Sequence, residues 1–371
     1  MEEVKNIFKD CPINITTQGM RHLGAAIGSN EFKNSYINEK VEKWCQHITK
    51  LAEIANSEPH AAYAAFIHGE QHRYTYFLRT IAGIEDNLEP LDAVINNKFI
   101  PALFGREITS NEREIIAMPV KHGGLGIRSV SDNSAIANYA SQRITAPLVD
   151  KIIQQSNQLP SKEEESQARN STVKILKEEQ LKQIEETTAK QNPDLQRTLS
   201  QHSEPGASSW LNALPLEEQA FNLNKGEFRD ALSLRYNHTP RNLPSKCPCG
   251  EKFNVTHALN CKRGGFVNAR HDNIKNFEAR MLKLVVNDVE VEPQLQPVTG
   301  GIYQKSANTS EEARPDVRAR GFWRDGQNAY FDVRVTNPDC ESQKNMTLKA
   351  VLNKHEQEKK RQYNQRIMNI H

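Results

Sequence analysis

Four potential metal ligands fall within fifteen residues of this chain, as Cys247-x-Cys249-x7-His257-x3-Cys261. Three thiolates and an imidazole have the number and softness for a closed tetrahedral zinc site, and an ion held that way dictates the path of the backbone around it. Gly250 supplies a turn where the chain wraps closely, and Phe253 and Leu259 offer small apolar support. The one-residue gap between Cys247 and Cys249 is tighter than in common zinc modules, so unligated residues or another fourth ligand form the alternative. A zinc held by all four residues is structural, because no coordination position stays open for chemistry. Cys11, Cys45 and Cys340 stand apart and read as ordinary thiols. Six cysteines in 371 residues make no disulfide framework, and the crowding of three of them points to metal in a reducing compartment.

Further along, Arg314-Pro315-Asp316 is followed by Phe331-Asp332-Val333-Arg334-Val335. Residues 314–322 and 328–336 read as a hairpin around Arg324-Asp325-Gly326. Alternation puts Phe331, Val333 and Val335 on one face and Asp332 and Arg334 on the other. Two acids facing each other on apolar strands are costly unless positive charge compensates. Mg²⁺ or Mn²⁺, with oxygen ligands from Asp316, Asp332 and the Val333 carbonyl, would compensate them and serve phosphodiester hydrolysis. The alternative is a solvated ion-pair face of Asp332 and Arg334. A helix is expected over 269–286, with Ile274, Phe277, Met281, Leu282 and Val285 on one face. On it Glu278 is either a third carboxylate of the site or an exposed residue. At its start, Arg270 and His271 are either phosphate-binding neighbours of the site or structural. A strand over 291–298 and a polar loop over 300–312 are expected between this helix and the hairpin.

The rest of the chain divides by composition. Residues 1–30 carry strand signals at 13–17 and 20–26. Residues 31–150 are dominated by helical spacing: Tyr36, Val41, Trp44, Ile48, Leu51 and Ile54 recur first, followed by stretches at 61–81 and 90–103. Gly123-Gly124-Leu125-Gly126 matches no phosphate-loop spacing and reads as a tight connection. Residues 151–203 are a highly charged connector with a surface helix or two. In 204–240, Trp210, Leu211, Phe228 and Leu232 are expected to pack against the zinc knuckle of 241–263. Charge is nearly balanced, 48 Lys and Arg against 46 Asp and Glu, so a nucleic-acid surface must be local. The opening MEEVKNIFKDCPINI lacks the basic and apolar regions of a secretory signal, and no apolar run is long enough to span a membrane. A nuclear or cytoplasmic chain, not secreted and without a membrane partner, is the expectation.

Together, Cys247, Cys249, His257, Cys261, Arg314, Pro315, Asp316 and Asp332 resemble the knuckle and restriction-like endonuclease of non-long-terminal-repeat retrotransposons. The resemblance implies a multidomain protein: a mainly α-helical N-terminal region, a small zinc knuckle and, over 264–371, an α/β PD-(D/E)xK core with a central mixed sheet. Gly19-Met20-Arg21-His22-Leu23-Gly24 resembles the end of the polymerase palm, and 31–150 a helical thumb. It further implies structural Zn, catalytic Mg or Mn, and DNA, with element RNA as a second partner. The site residues would be Asp316, Asp332, Arg334 and Glu278. Arg270, His271, Arg314, Lys359 and Lys360 would contact nucleic acid. Three departures stand out. No Tyr/Phe-x-Asp-Asp pair of a polymerase occurs. Arg334 stands where the family has lysine, and arginine is a poor general base. The family's core adds another strand after the helix expected over 348–368. The resemblance therefore predicts a remnant with weak or no cleavage, its alternatives being a nucleic-acid-binding protein without turnover and a non-functional element fragment.

Overall fold

The residues described by the computed structural model, 2–9, 15–263, 265–295, 305–310, 312–340 and 342–368, are mostly helical, with two small antiparallel sheets. Cys11, and parts of the segments expected over 13–17, 291–298 and 300–312, lie outside the described residues. The chain divides into two compact units, Met1–Arg241 and Asn242–His371. The segments 1–30, 31–150, 151–203 and 204–240 fall in the first.

After a short helix α1 (Glu2–Ile7), β1 (Gly19–His22) pairs with β2 (Ala25–Gly28), from Gly19↔Gly28 to His22↔Ala25. The extended segment expected over 20–26 is thus two arms of a hairpin. It reverses at Leu23 and Gly24, whose φ values of 47° and 88° suit the right-handed twist of the paired arms. At the open end a Cβ on Gly28 would lie 2.3 Å from the Gly19 Cα, so the chain needs glycine there.

Ser29 caps the long helix α2 (Asn30–Ala55) by accepting from Phe32 N. Its buried stripe is Ile37, Val41, Trp44, Ile48 and Ala52, while Ile54 stays half exposed. The Trp44 ring meets Tyr74 and Phe77 edge-on, with centroids at 5.6 and 5.2 Å. The stretches expected over 61–81 and 90–103 are each broken by a π turn. The first comprises α3 (Pro59–Ala65), then Phe66–Glu70; the second comprises α4 (Glu85–Val94), then Ile95–Phe99. Within them Phe66 stacks on Phe99 at 4.9 Å. The buried Asp92 carboxylate accepts from Val130 N and Ser131 N at 2.7 and 2.9 Å, holding the N-terminus of α5 (Val130–Ile153). In the charged connector, a Ser161–Glu164 capping box opens α6 (Lys162–Ala189), which buries only Thr172 of its described side chains, and α7 (Pro193–His202) follows.

The glycine turn receives a cation. Arg235, in α8 (Lys225–Arg235), is 1% exposed and donates to the carbonyls of Val120, Gly123 and Gly124 at 3.0–3.1 Å and to Ser208 Oγ at 3.0 Å. A Cβ on Gly124 would sit 1.9 Å from the Met118 carbonyl oxygen, so this crossing tolerates no side chain. With Arg235 anchored there, Phe228 stacks on His60 at 5.1 Å, and Leu211, Leu232 and Tyr236 complete the first unit's core. Trp210 packs against this core from the same segment.

In the second unit, α9 (Val255–Asn260) and α10 (Phe266–Lys283) precede three strands, β3 (Asp288–Val291), β4 (Val317–Arg320) and β5 (Asn328–Phe331). They form an antiparallel sheet in the order β3-β4-β5, not the mixed sheet expected. Gly326, at φ 77°, completes the turn expected at 324–326. The core is small: Ala279 and Leu282 against Val317 and Ala319. That contact turns α10 so that Lys275, Ala279 and Leu282 are buried, while Ile274, Phe277, Met281 and Val285 from the expected apolar face remain exposed. Closing the unit, α11 (Leu348–Met368) buries Val351, His355 and Arg366 and leaves Leu352 half exposed.

Candidate functional site

The knuckle is built by short-range hydrogen bonds that the sequence makes possible. Cys247 N donates to Glu251 O at 2.9 Å and Gly250 N to Cys247 O at 2.8 Å, with Gly250 at φ 95°. This turn brings Cys247 and Cys249 to one side. Asn254 Oδ1 accepts from His257 N at 2.7 Å, starting α9 at the angle that points His257 back toward the turn. The Cys247 and Cys261 sulfurs lie 3.6 Å apart, and Cys249 Sγ lies 3.2 Å from His257 Nε2. All four ligand atoms fall within 4.8 Å of one another. Ligand bonds of about 2.0–2.3 Å at tetrahedral angles require edges of this size, so the cluster can hold a zinc ion. The backbone N–H of Cys249 favours the Cys247 thiolate, but burial and the adjoining Cys249 and Cys261 thiols outweigh it and raise that thiol's pKa. Such crowding of metal-free thiols is relieved by a cation. Arg270 Nη2 donates to Leu259 O at 3.2 Å, tying the knuckle to α10.

The two strand acids meet where the sheet ends. The last registered pair of β4 and β5 is Val317↔Phe331, so Asp316 and Asp332 are the next residues on facing strands. Asp316 is buried, and its Oδ2 accepts from Val333 N at 2.7 Å and lies 3.2 Å from His271 Nε2. Burial raises the Asp332 carboxyl above its ordinary pKa, the Lys359 ammonium opposes that rise, and the charge of Asp316 adds to it. Lys359 Nζ lies 2.5 Å from Asp332 Oδ2 as a charge pair without hydrogen-bond alignment, and that oxygen is otherwise enclosed with no donor. Glu278 is likewise raised, first by burial and then by the charges of Asp316 and Asp332. Carboxylates that repel one another, with one enclosed Asp332 oxygen that lacks a hydrogen-bond donor, are chemically suited to a hard divalent cation.

Arg334, past the end of β5 and half exposed, has Nη2 3.9 Å from Glu358 Oε2. The cation on the acids is instead Lys359, expected among the nucleic-acid contacts. Lys360 pairs with Glu356 one turn away at 2.5 Å, and Arg314 is exposed. The sequence reading missed His355, which is buried. Its Nε2 lies 2.9 Å from Gln343 Nε2 and 3.2 Å from Thr336 Oγ1, and its Nδ1 lies 3.2 Å from Glu358 Oε2. One available signal was the spacing of Val351, His355 and Lys359 at four-residue steps along α11. Between β5 and α11 a cavity of about 480 Å³ opens, with Glu278 and Asp332 in its wall.

Neither a protein-family model nor a curated protein sequence matches the chain. Among the described residues, no helix is long and apolar enough to cross a membrane.

Proposed function

We propose that the second unit is a divalent-metal-dependent DNA endonuclease of the restriction-like kind carried by non-long-terminal-repeat retrotransposons, with a structural zinc in its knuckle. What supports this most is that Asp316 and Asp332 face each other at the sheet end with Glu278 in electrostatic reach and Lys359 on Asp332. Asp316, Asp332 and Glu278 would hold Mg²⁺ or Mn²⁺. When bound, such an ion supplies Lewis-acid stabilisation of the phosphate and makes water acidic enough to serve as a nucleophile. The remaining work falls to the chain's own groups. Val333 N–H and His271 fix the orientation of Asp316. Lys359 offers an ammonium beside Asp332, where it orients a water or steadies a phosphate oxygen. It thereby supplies from α11 the cation that the family's pattern carries two residues after the second acid, where this chain has Arg334. Exposed Arg314 and half-exposed Arg334 contact flanking phosphates.

The test is nicking of supercoiled plasmid with Mg²⁺ or Mn²⁺. Asp316→Ala and Asp332→Ala are expected to abolish it. Lys359→Met should lower it by on the order of a hundredfold, the scale of losing one positioned charge at a reacting phosphate. An unmutated chain that folds, retains zinc and does not nick would sink the reading. A second reading has its own support: His271 and Val333 N–H already satisfy Asp316, and Lys359 neutralises Asp332, so the acids are compensated without an ion. Salt-dependent DNA binding with no metal-stimulated nicking selects this reading, a binding module without turnover.

A further inference from the structure

The cavity between β5 and α11 is larger than a metal site needs, and its walls are not those of a duplex groove. Its volume of about 480 Å³ lies in the range of about 300–1,000 Å³ that encloses one small organic ligand. Tyr330, Phe331, Leu352 and Tyr363 give it aromatic and aliphatic walls. Arg334, Lys359 and Lys360 add three cations, one of them, Lys359, lying over the Tyr363 ring at 5.7 Å. Flat apolar walls beside cations suit a planar base on a phosphate-linked backbone. A base held in a duplex is paired and stacked and cannot enter a recess of this size, whereas an unpaired one can. Glu278 and Asp332 belong both to the cavity wall and to the acidic centre, so a nucleotide inside lies next to the phosphate facing the acids. Thr336 and Asn364 add polar groups within reach of a base edge.

We infer that this cavity receives one unpaired nucleotide adjoining the scissile phosphate, so that the preferred substrate is DNA with a bulged, mismatched or single-stranded nucleotide at the cleavage position. The inference rests on the nuclease reading for the word scissile, and its binding component is measured without cleavage. The full chain is titrated, in Ca²⁺ to block turnover, with fluorescein-labelled duplexes that are fully paired or carry a one-nucleotide bulge. A third duplex carries 2-aminopurine as the bulged base. The bulged duplex is expected to bind about tenfold tighter than the paired one, the scale of one base stacking on aromatic walls. The 2-aminopurine emission should change saturably with protein. Leu352→Trp, which fills the cavity from a half-exposed helix position, and Tyr363→Ala, which removes a wall, should each bring the two duplexes to within about twofold of one another. If one variant fails to fold, the other decides. Equal binding of paired and bulged DNA by the unmutated chain overturns the inference, as does a preference that survives Leu352→Trp. The two readings fail separately: metal-stimulated nicking without a bulge preference removes the cavity's role, and a bulge preference without nicking removes only the chemistry.

Discussion

The imidazole of His202 and the guanidinium of Arg235 share one buried corner of the first unit. His202 Nε2 lies 3.1 Å from the Arg235 carbonyl oxygen, and burial followed by the charge of Arg235 lowers the histidine to a pKa of about 4. An unfolded histidine titrates near 6.5, so between about pH 6.5 and 4 the unfolded chain binds a proton that the folded chain refuses. Stability from this group is therefore complete above about 6.5 and lost as pH falls toward 4, on the order of 3 kcal/mol in all. Urea midpoints of the first unit's transition at pH 7 and pH 5 should differ less for His202→Gln than for the unmutated protein. An equal difference in both would refute the assignment. Arg235→Met should destabilise by on the order of 3 kcal/mol, because it strips donors from three buried carbonyls that the glycine turn presents. Far smaller losses in thermal or denaturant unfolding would mean that water replaces the guanidinium. Glu112 is also lowered, but by its partners and against burial. Burial acts to raise it, but bonds from Arg106, Thr109 N and His238 win and hold it at about 2.

At the scale of elements, the knuckle is the part whose structure depends most directly on an ion. Its loop has a few hydrogen bonds and two buried cysteines in place of a core. One equivalent of zinc is expected in the purified chain, lost or sharply weakened in Cys249→Ser. Its occupancy should fall as acid protonates the thiolates. Well-folded protein that retains no zinc would remove that role. Of α11, the sequence told where it begins but not how it is held. Of its apolar residues Leu348, Val351 and Leu352, only Val351 is fully buried. The helix is seated instead by polar groups: His355 on Thr336 and Gln343, and Arg366 Nη1 on the carbonyls of Asn308 and Ser310 at 3.1 and 2.7 Å. Hydrophobic periodicity is blind to a buried face that is satisfied by hydrogen bonds. His355→Leu should therefore loosen α11 and lower both the thermal stability of the second unit and any nicking. His355→Gln, which keeps a donor and an acceptor, should restore much of each.

For the molecule as a whole, the two units differ in the size of their cores. The first gathers a continuous set of buried side chains from Ala25 to Tyr236, whereas four buried residues make the sheet–helix core of the second. Stability from apolar burial scales with area, at about 25 cal/mol per Å². Calorimetry of the full chain should accordingly show two transitions, the second unit melting first. A zinc chelator should lower that transition and leave the other within about a degree, since linkage acts only on the unit that binds the ligand. One transition moving as a whole under chelation would show that the units unfold together.

The sequence by itself determined what local chemistry dictates: the four ligands of the knuckle, the capping of the charged helix by Ser161 and Glu164, the turn at Gly326 and the start of α11. Such features depend on residues a few positions apart, and the physics that selects them acts at that range. Tertiary structure alone decided which side of α10 turns inward, because the small Val317 and Ala319 accept Ala279 and Leu282 and leave the larger apolar residues Ile274, Phe277 and Met281 exposed. It also decided that Arg235 fills the glycine turn from over a hundred residues away, and that Lys359 lies on Asp332 where Arg334 was expected. A charge is drawn to whichever opposite charge the folded chain brings near it, and that distance is set by packing, which neighbouring residues in the sequence do not record.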